Sequence, residues 1–186
     1  MKGYIYTMYG GADPGNKWTL NDPIFGGSPT LGACVPHIRR AVDVGDHIFV
    51  ISGHIPGVKQ FIVGGFEVAE KINALAAYKR FPEHRLKRGE GGQILGNIIV
   101  DSRGKHHALD DHKNFESRIE NYLVGRDPVA LSTPSQFQAA REGTVDLLSE
   151  LFDKKGAKPF DIIGRYRKMD ERQIERLKTW LKDLSQ

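Results

Sequence analysis

Positions 3–9, GYIYTMY, are β-branched or aromatic at most places and predict a strand. The stretch that follows, GGADPGNKWTLNDPIFGGSPT, is too rich in Gly, Pro and Asn for regular structure. A connection of that length in a compact domain is uncommon, and such loops often bind ligands. A short helix is predicted from Pro36 through HIRRA, because a first helical turn does not need the N–H that proline lacks. Gly45-Asp46 then turns the chain into HIFVIS, a continuous apolar run of buried-strand type. QFIVGGFEVAEKI reads as a second strand, with Gly64-Gly65 marking a bulge or a close backbone approach. NALAAYKRF predicts a short helix capped by Asn73 and stopped before Pro82, and GNIIVDS predicts another strand.

The period changes in the last third. Thr133-Pro134-Ser135-Gln136 is a capping-box start, and behind it Phe137, Ala140, Thr144, Leu147, Leu148 and Leu151 recur at helical spacing. Asp170 with Gln173 makes a second cap, followed by the stripe Ile174, Leu177, Leu181 and Leu184 with Trp180 beside it. Strands first and amphipathic helices last predict one α+β domain over residues 1–186, with 133–186 a helical C-terminal extension packed on it.

Composition narrows the class. A hydrophobic fraction of 39% against 27% charged residues supports a packed core and excludes a disordered, collagenous or coiled-coil chain. Twenty-seven Lys and Arg against 23 Asp and Glu leave +4, compatible with a polyanionic partner without demanding one. One cysteine, Cys34, excludes an internal disulfide framework and any multi-cysteine zinc site. The start has no apolar signal region and no later run approaches membrane-spanning length, so the expectation is a cytoplasmic protein without a membrane partner.

The charge matters more in its clusters than in its total. Lys79, Arg80, Arg85, Lys87 and Arg88 surround Tyr78 and Phe81, and Arg165, Arg167 and Lys168 follow Lys154, Lys155, Lys158 and Phe160, with Tyr166 among them. Cations that neutralise phosphates beside rings that stack bases suit nucleic acid, whereas the plainer reading is a solvated surface. The first loop adds Trp18, Asn21, Phe25, Ser28 and Thr30, a flat apolar wall with polar groups to address a base edge. Arg39 and Arg40 follow it as further phosphate candidates. Ser52, Gly53 and His54 stand at the end of HIFVIS, where a strand can present polar groups to a pocket.

Other constellations are weaker. KHHALDDHKNFE gathers His106, His107, Asp110, Asp111 and His112, ligand types that can bind a divalent ion and activate water. No familiar ligand spacing is present, so no metal is assigned, and nothing in the sequence requires a cofactor. Cys34, just before Pro36 and His37, is either a nucleophile at a helix start or a small packed residue. RGEGGQILG matches neither the phosphate-loop nor the dinucleotide fingerprint.

The run from Asp22 to Gly53, DPIFGGSPTLGACVPHIRRAVDVGDHIFVISG, resembles the nucleotide-modification-associated domain family, second type. The resemblance rests on Pro23 and Phe25, on Thr30, Leu31, Cys34, Pro36, Ile38 and Arg39, and on Gly45-Asp46 opening a strand. It implies a PUA-like fold akin to the EVE and ASCH domains, a small mixed β-barrel with peripheral helices that binds modified bases or structured nucleic acid. The leading expectation is therefore a nucleic-acid or nucleotide binding module for a modified base. Its pocket would comprise Trp18, Asn21, Phe25, Ser28, Thr30, Cys34, Ser52, Gly53 and His54. Two alternatives stand beside it. One is a hydrolase or transferase acting on a nucleotide through His54 or the His106–His112 cluster. The other is an interaction subunit or homodimer using the leucine stripe from Ile174.

Overall fold

The computed structural model describes residues 1–186. Eight strands and five α-helices run in the order β1 Gly3–Thr7, β2 Thr30–Leu31, α1 Pro36–Ala41, β3 His47–Ile51, β4 Ile62–Ile72, α2 Ala74–Arg80, β5 Lys87–Arg88 and β6 Ile94–Leu95. There follow β7 Tyr122–Ala130, α3 Pro134–Phe152, α4 Pro159–Ile163, β8 Tyr166–Met169 and α5 Glu171–Ser185. Six strands hydrogen-bond in the order β2-β7-β4-β3-β1-β8, and β5 and β6 form a separate hairpin. The larger sheet is mixed, because β1 runs parallel to β3 while β8 pairs antiparallel with β1, β4 with β3 and β7 with β2. This is the expected α+β class, with the sheet ending at β2 and β8 and not closed into a ring. No helix is long and apolar enough to cross a membrane.

The chain divides into two compact units, one of residues 1–19, 45–67 and 127–186, the other of residues 20–44 and 68–126. The first unit is built on β1 and β3, in register from Gly3 opposite His47 to Thr7 opposite Ile51. The unbroken apolar run of β3 is buried at every residue, as a strand covered on both faces requires. Val50 faces Gly64 whereas Ile51 faces Ile62, so Val63 is the extra residue of a bulge. The expected close approach is present too: a Cβ at Gly64 would meet the Val129 carbonyl, and one at Gly65 the Phe49 ring.

Both predicted caps form in this unit. Thr133 Oγ1 accepts from Gln136 N at the start of α3, and Asp170 Oδ1 accepts from Gln173 N at 2.9 Å at the start of α5. Gln173 Nε2 also donates to Leu151 O at 2.6 Å, tying α5 to the end of α3. Ile174, Leu177 and Leu181 are fully buried, so most of the apolar stripe is consumed in the core of its own unit and is not presented to a second copy. Residues 133–186 are not wholly helical. The basic segment YRKM forms β8 on the outer side of β1, alternating exposed and covered side chains as an edge strand does.

In the second unit α2 begins at the predicted cap, with Asn73 Oδ1 accepting from Ala76 N at 2.8 Å. Ala74, Ala77 and Phe81 pack against Ile98, Val100, Tyr122 and Val124. The apolar stretch around Ile98 is buried as expected, but it is not a strand. Asn97 N and Ile98 N both donate to the His84 carbonyl, and the segment makes only single bridges, Arg85 to Ile98 and Val100 to His106. With the amides of Asn97 and Ile98 spent this way, the segment joins its neighbours through single bridges and not through a ladder.

Candidate functional site

In the first unit the segment after β1 folds over the end of β3. Gly11 N donates to His54 O at 3.0 Å and Gly53 N to Ala12 O at 2.6 Å. Asp13 caps a short 3₁₀ turn, Pro14–Asn16, through Gly15 N at 2.8 Å, and its buried Oδ1 also accepts from Arg141 Nη2 at 2.9 Å. Arg141 lies over the Phe61 ring at 4.6 Å and donates its other terminal nitrogen to Lys59 O. These bonds hold the turn that carries Trp18, whose amide reaches back to Asp13 O. Trp18 is 38% exposed and meets Tyr9, 54% exposed, edge to face with centroids 5.6 Å apart. Large rings are normally sheltered, and this pair leaves ring surface exposed on a pinned loop.

The same unit contains an open groove of about 460 Å³. His54, Lys59 and Gln60 line one part of it, Arg141, Glu142 and Asp146 another, and Lys158 with Pro159 a third. The groove sets charged side chains of both signs against an apolar wall from Val58, Val145, Ala157 and Pro159. Exposed Lys154 and Lys155 precede its Lys158 wall in the chain, and the exposed rings of Phe160 and Tyr166 follow it.

Two of the nominated pocket residues do not fit an open pocket. Ser52 is buried with every group in use: its amide and hydroxyl bond Phe61, and its carbonyl accepts from Gln60 Nε2 at 2.7 Å. Gly53 faces no cavity, because the Tyr9 carbonyl and Ala12 amide fill the space a Cβ would take. His54 is exposed and stays available.

The remaining pocket candidates lie in the second unit, where Thr30 and Cys34 join a network centred on Asp22. Its carboxylate accepts from Gly32 N at 2.7 Å, Ala33 N at 2.9 Å, Cys34 N, and Asn97 Nδ2 at 3.0 Å. Asn97 Nδ2 also reaches Thr30 Oγ1 at 3.0 Å, while Tyr122 Oη donates to Asn97 Oδ1 at 2.8 Å. Thr30 Oγ1 continues the chain to His84 Nδ1 at 3.1 Å. Burial first, then the Asp22 charge, raises the Cys34 thiol far above its ordinary range, the opposite of what a nucleophile needs. Burial likewise raises the Tyr122 phenol and lowers the His84 imidazole. Thr30 is fully buried in this network and Cys34 partly buried beside it, so both serve the loop's architecture and not an open base pocket. Asn21 Nδ2 is engaged with Ile94 O at 2.9 Å, Phe25 is half-buried, and Ser28 is exposed.

Arg39 corrects the phosphate set most sharply. It is 0% exposed, and its guanidinium donates to the carbonyls of Cys34, Ala33, Arg118 and Asn121 at 2.6–3.3 Å. A phosphate cannot reach it. Arg85 is similarly turned inward, bonding Tyr78 O at 2.8 Å and lying 4.0 Å over the Tyr78 ring. Arg80 forms a bidentate pair with Glu70, and Arg167 bonds Ile162 O while covering the Phe152 ring. Arg40, Lys79, Lys87, Arg88, Arg165 and Lys168 are exposed.

Sequence reasoning missed Tyr9, Lys59 and Arg141. Tyr9 read as part of the first strand, although the following Gly10-Gly11 was a turn signal. Arg141 sits on a helix whose pattern announces only a polar face. Of the His-rich segment, His106 and His112 converge on Asp110, whereas His107 Nδ1 accepts from Leu109 N. Neither protein-family models nor curated proteins match the chain.

Proposed function

We propose that the protein is a nucleic-acid or nucleotide binding module that holds a base, in the modified form expected of this family, against the Tyr9–Trp18 pair. The exposed edge-to-face pair carries the reading, because it offers a ring face to a base at a pinned position, in the same unit as a groove lined by charged side chains. The exposed His54 would address the base edge, and Lys59 with Lys154, Lys155 and Lys158 the phosphates. The resemblance of residues 22–53 to the second nucleotide-modification-associated domain supports the same assignment.

The test is fluorescence titration with single-stranded oligonucleotides, modified and unmodified, in a Trp180→Phe background where Trp18 is the remaining tryptophan. Binding should quench Trp18 and weaken with salt, and Trp18→Ala should cost about 5- to 150-fold in affinity, the worth of one base–aromatic stack. No binding to any oligonucleotide at low salt would refute the proposal. A hydrolase or transferase using His54 is the second reading, favoured by that side chain's place in the groove wall. Turnover of a nucleotide panel that His54→Ala abolishes would replace binding with catalysis.

A further inference from the structure

We propose, on the footing of the nucleotide-binding reading, that Arg141 takes a phosphate group in the groove and transmits its occupancy to the Trp18 turn through Asp13. Every residue involved belongs to the first unit. Arg141 stands on α3 and lines the groove, with its side chain 12% exposed. Of the five N–H donors of its guanidinium, one goes to Asp13 Oδ1 and one to the Lys59 carbonyl, and the other three meet no acceptor in the protein. Donors on a largely buried group are ordinarily bonded, so three idle ones facing a groove mark a place for acceptors from outside the chain.

The chemistry of the fork names the acceptor. The Phe61 ring covers one face of the guanidinium at 4.6 Å, which leaves the donors in its plane to act. A planar fork matches the paired oxygens of a phosphate. The exposed Lys59 and Lys158 line the same groove and add positive charge. Glu142, which accepts from Gln138 Nε2 at 2.7 Å, and Asp146 line it too. Anion binding here therefore depends on directed N–H groups more than on net charge.

The same guanidinium is the only ion-pair partner of Asp13, whose side chain is 1% exposed. Asp13 Oδ1 also accepts from Gly15 N at 2.8 Å, whereas Oδ2 accepts no bond. A buried carboxylate so sparsely bonded depends on that one cation. The Asp13 carbonyl in turn accepts from Asn16 N at 2.9 Å and from Trp18 N at 3.3 Å. Contacts thus run unbroken from the groove through Arg141 and Asp13 to Trp18, which does not itself line the groove. Phosphate on the idle donors would fix the guanidinium where it holds Asp13, and so steady the turn that carries the ring. Arg141 is then a phosphate ligand and a positioning residue for Trp18.

The experiment titrates inorganic phosphate, at constant ionic strength, into the full-length Trp180→Phe protein. Phosphorus NMR line broadening reports binding, and acrylamide quenching reports the shielding of Trp18. Phosphate should bind and should lower Trp18 quenching to a saturating value. Lys59→Ala should weaken binding yet leave the saturating change intact. Arg141→Lys keeps the charge but loses the fork, and should weaken binding about tenfold or more and abolish the change. Asp13→Asn retains an oxygen for Gly15 N, and should bind phosphate as the parent does with a smaller Trp18 response. A merely structural Arg141 would not separate binding from response in this way. The proposal is overturned if phosphate does not bind, if it binds without altering Trp18, or if Arg141→Lys responds like the parent. Oligonucleotides that bind while Trp18 ignores phosphate would leave the base reading standing and remove this one; a phosphate response without oligonucleotide binding would do the reverse.

Discussion

Replacing Arg39 separates the two roles that its position suggests. If it bound phosphate, Arg39→Lys would preserve the charge and most of the function. The structure instead gives it five N–H contacts to four carbonyls, at 2.6–3.3 Å, with no exposure to solvent. A lysine ammonium is a point donor and cannot reproduce the planar fork. Hydrogen bonds to charged groups contribute about 1.5–3 kcal/mol each, and unpaired buried acceptors cost about 1–3 kcal/mol, with strong non-additivity. Allowing for the bonds a lysine can keep, Arg39→Lys should cost about 3–5 kcal/mol, and Arg39→Met slightly more. In a chain of this size that lowers the melting temperature by about 6–20 °C. Urea unfolding followed by circular dichroism measures it through the midpoint at constant slope. A stability within about 1 kcal/mol of the parent, accompanied by weakened oligonucleotide binding, would refute the reasoning and restore Arg39 as a phosphate ligand.

Two further outcomes follow from the same structure. Gly53→Ala places a methyl against the Tyr9 carbonyl and Ala12 amide, both backbone, so stability should fall by about 1–3 kcal/mol. The displaced loop should also lose Trp18-dependent binding, measured by thermal melts and the fluorescence titration; an unaltered melt would contradict the packing. Burial lowers the His84 pKa below 6.5, so between its native value and 6.5 the unfolded chain holds more protons than the folded one. Stability is therefore greatest above pH 6.5 and declines as pH falls through that window. His84→Gln should flatten this decline without abolishing it, since His37 and His47 are shifted the same way, and an unchanged pH profile would count against the assignment.

Local chemistry explains what was legible beforehand. Caps, proline starts and glycine approaches act within a few residues, and so Thr133, Asp170, Asn73, Pro36 and the Gly64-Gly65 pair all stand where the sequence placed them. Long-range pairing was not legible. β8 reads as a basic cluster because an edge strand needs only one covered face, and β7 is interrupted by Gly-Arg-Asp-Pro. The segment around Ile98 has strand composition, but the His84 carbonyl captures the amides of Asn97 and Ile98. For the site, residue type identified Trp18 and His54 as exposed candidates. It could not distinguish Arg39, a donor to buried carbonyls, from Arg40 next to it, because the two differ only in which way the helix turns them.

The pairing of β1 imposes an order on synthesis. Its inner neighbour β3 follows early in the chain, but its outer neighbour β8 holds Met169 opposite Gly3. While the ribosome is still making α3, the amides and carbonyls along that outer edge have no strand to meet. A row of open backbone groups is a template for foreign strands. The sheet thus keeps an open edge until β8 has been made, and nascent chains halted before Tyr166 should depend on chaperones more than chains that include β8.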